Sequence, residues 1–205
     1  MSSAPGKPTA KTDGTTRRDP DDKRARLLDA GRHLFLMQGF EGTTTLSIAR
    51  RAGVSEGILF HHFGSKRGLF EALASDFATA AADATMPAET DEMTEESVVR
   101  AAFDFADAQP ALYDLFSRRA ADNEDTSALN ADIVIDKIRA NLELGIAAGQ
   151  ARAGDPRIMA ELQFALVDAA YRAWRRRGDP GLREAYIFEA VRCMRGMLAP
   201  QAPKS

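Results

Sequence analysis

Two adjacent histidines, His61 and His62, stand in the stretch "AGVSEGILFHHFGSKRGLF" (residues 52–70), and Lys66 follows four residues later. Imidazoles bind metals, carry protons or hydrogen-bond phosphates and base edges. Side chains at i and i+1 of a helix point ~100° apart, so this pair closes poorly on one ion. The only other histidine is His33 and the only cysteine is Cys193, so no metal site and no cofactor is expected. There is no Gly-rich phosphate loop, no nucleophile elbow and no carboxylate pair with a reason to be catalytic, so no enzymatic residues are assigned. The chemistry left to this stretch is contact with an anion or a base edge. Gly57 permits close backbone approach, and the free N–H groups following Ser55 point the same way.

Such groups need a short helix held on the surface, and the flanking sequence supplies one. Asp21 and Asp22 suit a helix start, and Leu27, Leu28, Gly31, Leu34 and Phe35 follow at helical spacing. Gly39 is expected to end that helix, with Phe40 folding back onto Phe35. Thr44 then caps a short helix from Thr45 to about Ala52, with Ile48 and Ala49 inward. Gly53 breaks it, Ser55 opens a third helix from Glu56 to about Phe63, and Ser65 caps a fourth that runs to about Ala84. Further helices are expected at about 93–108, 110–121, 125–150, 156–177 and 180–198. The last two are each preceded by "GDP", read as a helix-ending Gly, a capping Asp and a first-turn Pro. No period-2 stretch argues for a strand, so the fold class is all-α.

Charge is divided along the chain. Up to Arg67 there are 12 Lys+Arg against 7 Asp+Glu, and beyond it 15 against 23. That asymmetry suggests an anion-binding head on a body with another task. Residues 1–20 are rich in Ser, Thr, Pro, Gly and charge, and read as a disordered arm. Residues 21–68 form the head and 69–200 the body. No apolar run approaches the ~18 residues of a membrane span, and no secretory leader is visible, which makes a cytoplasmic protein without membrane contact the expectation. "RRR" at 175–177 reads as the solvated, dipole-matched end of a helix.

Two short helices joined by a tight Gly-containing turn make a helix-turn-helix, whose second helix enters the DNA major groove. Leu59 and Phe63 can anchor that helix. The segment "GFEGTTTLSIARRAGVSEGILFHHFGSKRGLF" resembles the tetracycline-repressor (TetR) family of regulators. The likeness rests on Gly39-Phe40, Thr43-Thr44, Ile48-Ala49, Ala52 to Ser55, Gly57, Leu59, an aromatic at 60, Phe63, Ser65-Lys66 and Leu69-Phe70. The resemblance implies an all-α homodimer that binds double-stranded operator DNA through a three-helix head and a small effector through the body. By position it places Thr43, Thr44, Ser55, Gly57, Ile58, Phe60, His61, His62 and Lys66 on the DNA-facing surface. At three places the sequence departs from the family pattern: Ile58 stands where a small polar residue is usual, Phe60 where Tyr is common, and Thr45-Leu46 reverses the usual apolar-polar order.

The resemblance puts the dimer seam on the helices at about 156–177 and 180–198, where apolar residues occupy more than one face. It puts the ligand pocket in the body, where Phe103, Tyr113, Phe116 and Phe164 are the candidate lining. These residues lead to a ligand-released repressor on a pseudo-palindromic operator. An effector-free architectural DNA-binding protein is the alternative, and it calls for a body packed without a cavity. Arg17 and Arg18 of the arm, Thr44, His62 and Lys66 are the expected phosphate contacts, Ile58 the expected contact to a thymine methyl and His61 the polar base reader.

Overall fold

The computed structural model describes residues 20–86, 93–122 and 124–199, with side chains in these ranges except at 20 and 118–130. Among the described residues there are nine α-helices and no strand: α1 Pro20–Gly42, α2 Thr45–Ala52, α3 Glu56–Phe63, α4 Lys66–Thr85, α5 Glu95–Ala108, α6 Pro110–Asp122, α7 Glu124–Ala147, α8 Pro156–Arg177 and α9 Arg183–Leu198. None of the described helices is long and apolar enough to cross a membrane. Arg17 and Arg18 lie outside the described residues.

The head closes around Leu27, Phe35, Ile48, Leu59 and Leu69, each at most 1% exposed. Fully burying a side chain of this size contributes about 1.5–3 kcal/mol, so five of them account for why such short helices hold a fixed position. Gly39 breaks α1 with φ 72° and ψ 173°, a conformation closed to residues with a Cβ. The break turns Phe40 back to stack on Phe35, ring centroids 5.6 Å apart. Thr44 caps α2 by accepting from Ser47 N–H, and the Ser47 hydroxyl receives the Thr44 N–H in return. Such a cap stabilises a helix by about 1 kcal/mol. Ser65 caps α4 by accepting from Gly68 N–H at 2.9 Å. A Cβ on Gly68 would lie 2.1 Å from the Phe63 carbonyl, so only glycine lets α4 leave α3 at this angle.

The body has two core clusters. Val99, Phe103, Tyr171, Trp174, Ile187 and Val191 unite α5, α8 and α9, while Ile135, Leu142, Met159 and Ala160 join α7 to α8. The first "GDP" does not end a helix as expected. Helix α7 stops at Ala147, and Gly149, with φ 71°, lets the N–H groups of Gln150 and Ala151 fold back onto the Gly145 carbonyl. The apolar spacing runs on into "GIAAGQAR", which hid the earlier stop. The second "GDP" behaves as read: Gly178 is left-handed and Asp179 accepts from Gly181 N–H. It opens on a single 3-10 turn, Pro180–Leu182, before α9 begins. Trp174 and Tyr171 face the core of the body and not the outer side of α8.

Candidate nucleic-acid interface and body cavity

Helices α2 and α3 are fixed from beneath and tied to each other. Ile48, Ala49 and Ala52 bury one side of α2, and Leu59 buries one side of α3. The Thr45 hydroxyl donates to the Glu56 carboxylate across the turn. That bond gives a role to the reversed Thr45-Leu46 order: Thr45 turns to the helix–helix junction and Leu46 is left 53% exposed. Ser55 has the extended backbone of a cap but its hydroxyl takes no N–H from α3; Ile58 N–H donates to the Ser55 carbonyl at 3.0 Å, and the Glu56 and Gly57 N–H groups are left open.

The outer surface carries some of the expected residues and not others. Thr44, Ser55, Gly57, Phe60 and His61 are exposed, and His62 is half-buried with its ring 5.3 Å from that of His61. Thr43 is not on this surface. It is 1% exposed, and its hydroxyl donates to the Gly39 carbonyl at 2.7 Å, because the backbone broken at Gly39 leaves an acceptor that needs a local donor. Ile58 is half-buried against the head core, so the apolar residue offered outward is Phe60, 48% exposed. Lys66 has a competing use. Its Nζ donates to the carbonyls of Phe40 at 2.7 Å and Thr43 at 2.9 Å, and stands 4.2 Å from the Phe40 ring centroid. It bridges the start of α4 to the segment between Gly39 and α2.

Beneath the head, the body holds a cavity of about 610 Å³ that is open on one side. Its wall draws on α4 through Phe77 and Ala81, α5 through Phe105, α6 through Tyr113 and Phe116, and α7 and α8 through Asn141 and Phe164. Three of the four expected lining residues are there. Phe103 is not: it is 0% exposed, wedged against Tyr171 and Trp174, with the Arg183 guanidinium 5.8 Å from its ring centroid. About half a turn of α5 separates the two fates, since Phe105 faces the space and Phe103 the core. Tyr113 donates to Asp168 at 2.5 Å, and Asp168 pairs with Arg172. Burial, reinforced by the Asp168 charge, holds the Tyr113 phenol far above its ordinary range, so it stays a protonated donor.

Cavity and head share parts. Phe116 lines the cavity, lies 5.3 Å from Phe77 and 5.4 Å from Phe70, and packs on the head core. Phe70 in turn meets Phe35 and Phe40 at 5.3 and 5.2 Å. An unbroken run of rings therefore connects the cavity wall to the backbone that Lys66 braces.

Residues 27–73 match the family described as bacterial regulatory proteins, tetR family. The transcriptional repressor AcnR of Corynebacterium glutamicum is 39% identical over 64 residues, which are 31% of this chain and 34% of that protein. The regulator BetI of Paraburkholderia phytofirmans is 48% identical over 50 residues, 24% of this chain and 26% of that protein. The matched stretch thus spans about a third or less of these curated relatives. The fold likeness is wider. A Shewanella sp. PV-4 structure described as a tetR-family regulator superposes with TM-score 0.67 at 26% identity, over 86% of this chain and 97% of that one. Residues 27–73 thus carry the tetR-family pattern, and the chain as a whole is similar in fold to a tetR-family regulator. Salmonella enterica GusR shares the fold at TM-score 0.70 and 22% identity, over 88% of this chain and 97% of its own.

Several features of the site carry no mark in the sequence. Gln163, Asp168 and Phe77 line the cavity, yet each sits singly in a helix, with no spacing that marks it. Leu46 had a signal, the departure from the usual family order, which pointed to an unusual outer face on α2.

Proposed function

We propose that the protein is a DNA-binding transcriptional regulator that occupies a pseudo-palindromic operator as a homodimer and leaves it when a small molecule fills the body cavity. The observation that carries this reading is the shared helix α4. It is braced to the head at Lys66 and forms one wall of the cavity through Phe77 and Ala81. A ligand that prefers one position of α4 shifts the spacing of two recognition helices, which must sit about 34–36 Å apart to enter successive major grooves. Coupling of this kind typically amounts to about 1–3 kcal/mol. The relative named a transcriptional repressor supports repression as the sign of control. An effector-free architectural protein would have called for a body packed solid, and a cavity of about 610 Å³ favours the ligand-responsive reading.

At the DNA, Thr44, His62 and the open N–H groups of Glu56 and Gly57 serve phosphates, and His61 reads a base edge. Phe60, carrying no hydroxyl, presses on a thymine methyl, the one apolar feature of the major groove. Ile58 supports it from within. The two residues separate cleanly by mutation. Phe60→Ala is expected to leave the melting temperature little changed and to remove about 1 kcal/mol of discrimination at one thymine. Replacing that thymine by uracil should cost the wild type a similar amount and the variant almost nothing. Ile58→Ala should instead lower stability by about 1–2 kcal/mol, below the ~2–5 kcal/mol of a fully buried site, and keep the sequence preference. A Phe60→Ala protein that discriminates as well as wild type would remove this residue from the readout.

A further inference from the structure

The wall of the body cavity has a polarity that selects among small molecules, an inference that rests on reading this cavity as the effector site. Most of the wall is apolar, with the rings of Phe77, Phe105, Phe116 and Phe164 on several sides. The volume of about 610 Å³ falls within the ~300–1,000 Å³ of sites that take drug-sized ligands. Uncharged polar side chains also line it, Asn141 and Gln150 among them, and Gln163 is the buried one whose side chain lacks a partner. It is 8% exposed, lines the cavity, and its carboxamide has no hydrogen-bond partner among the described residues. Its amide oxygen and nitrogen are not sealed off but keep surface open to the cavity, where a ligand that supplies both a donor and an acceptor can pair with them.

The charges of the wall are already matched. Asp168 accepts from Tyr113 and pairs with Arg172, and Glu95 meets Arg195 at 3.5 Å. Among the described residues lining the space, the charged ones are Glu95, Asp168 and Arg172. No cation in the wall is left for an anionic ligand and no carboxylate is left for a cationic one, so a ligand's full charge would lie desolvated without a counter-charge.

We propose that the cavity takes an uncharged, ring-bearing apolar molecule with an amide-like polar group that pairs with the Gln163 carboxamide as both donor and acceptor. The test uses the full-length protein and the neutral dye Nile red as reporter, displaced by three probes that share one body. These are biphenyl-4-carboxamide, biphenyl-4-carboxylate and 4-methylbiphenyl. The carboxamide is expected to displace the dye at least tenfold better than the carboxylate. Gln163→Met, of similar length and shape, should weaken the carboxamide about tenfold and leave 4-methylbiphenyl unchanged. Equal or tighter binding of the carboxylate to wild type would overturn the proposal without recourse to any variant. So would a carboxamide affinity indifferent to Gln163→Met in a variant that melts like wild type, or a failure of dye and all probes to bind. DNA binding is measured separately. A carboxamide that binds through Gln163 yet leaves DNA affinity unchanged upholds the ligand class and removes the ligand-release reading.

Discussion

Leu162→Glu is expected to turn the proposed homodimer into a monomer and to abolish binding to a full operator. Leu162 is 52% exposed on the outer face of α8, beside Ile158 at 54%, with Ala165 and Ala169 continuing the stripe. Phe188 on α9 is 65% exposed. Single exposed apolar residues are ordinary, but a contiguous set on two adjacent helices marks an interaction surface. A two-fold seam presents each residue twice, so a carboxylate at 162 enters the contact from both sides. An uncompensated charge at a buried contact costs about 3–5 kcal/mol. That corresponds to a dimer dissociation constant raised by roughly two to four powers of ten. The protomer itself should fold normally, because this side chain lies outside both body clusters. Sedimentation should report one protomer at micromolar concentration, and the circular dichroism melt should keep its shape. An unchanged mass would move the dimer seam elsewhere.

The second large effect is expected at Lys66. Its ammonium satisfies two carbonyls at the break between α1 and α2, and a hydrogen bond to a charged group contributes about 1.5–3 kcal/mol. Lys66→Met keeps the apolar stem and removes both bonds, which should destabilise the head by about 2–4 kcal/mol. DNA affinity then falls for every sequence alike, in step with the fraction of unfolded head. The dependence of affinity on salt distinguishes this from a lost phosphate contact. A phosphate-binding lysine would reduce the slope of log K against log salt by about one unit. A bracing lysine leaves that slope unchanged in the fraction that remains folded. A fully stable variant with a flatter slope would return Lys66 to the phosphate backbone.

The comparison of sequence with structure turns on where local rules suffice. The head was legible because its signals are local. Thr44, Gly53 and Ser65 each fix a break or a cap within a few residues and act as read, while Gly39 kinks α1 at φ 72° and ψ 173° and does not end it. Thr43 was misplaced because its hydroxyl answers a carbonyl freed by the break at Gly39, a demand that spacing does not announce. Ile58 and Phe60 lie two apart on one short helix, and only the approach of the head core decides which turns inward. In the body, Phe103 and Phe105 pose the same problem on α5, and there the residue chosen from the sequence was the core one. Gln163 was invisible for a different reason. A lone polar residue on a long apolar helix is informative only after burial and the lack of a partner are known.

The most direct test of the account is selection of random-sequence duplex DNA by the full-length protein, followed by the stoichiometry of the selected complex. The account predicts enrichment of a two-fold-symmetric site whose half-sites lie one helical turn, or a multiple of it, apart, bound by two protomers or a multiple of two. Recovery of no preferred sequence, or of a single asymmetric site held by one protomer, would contradict it.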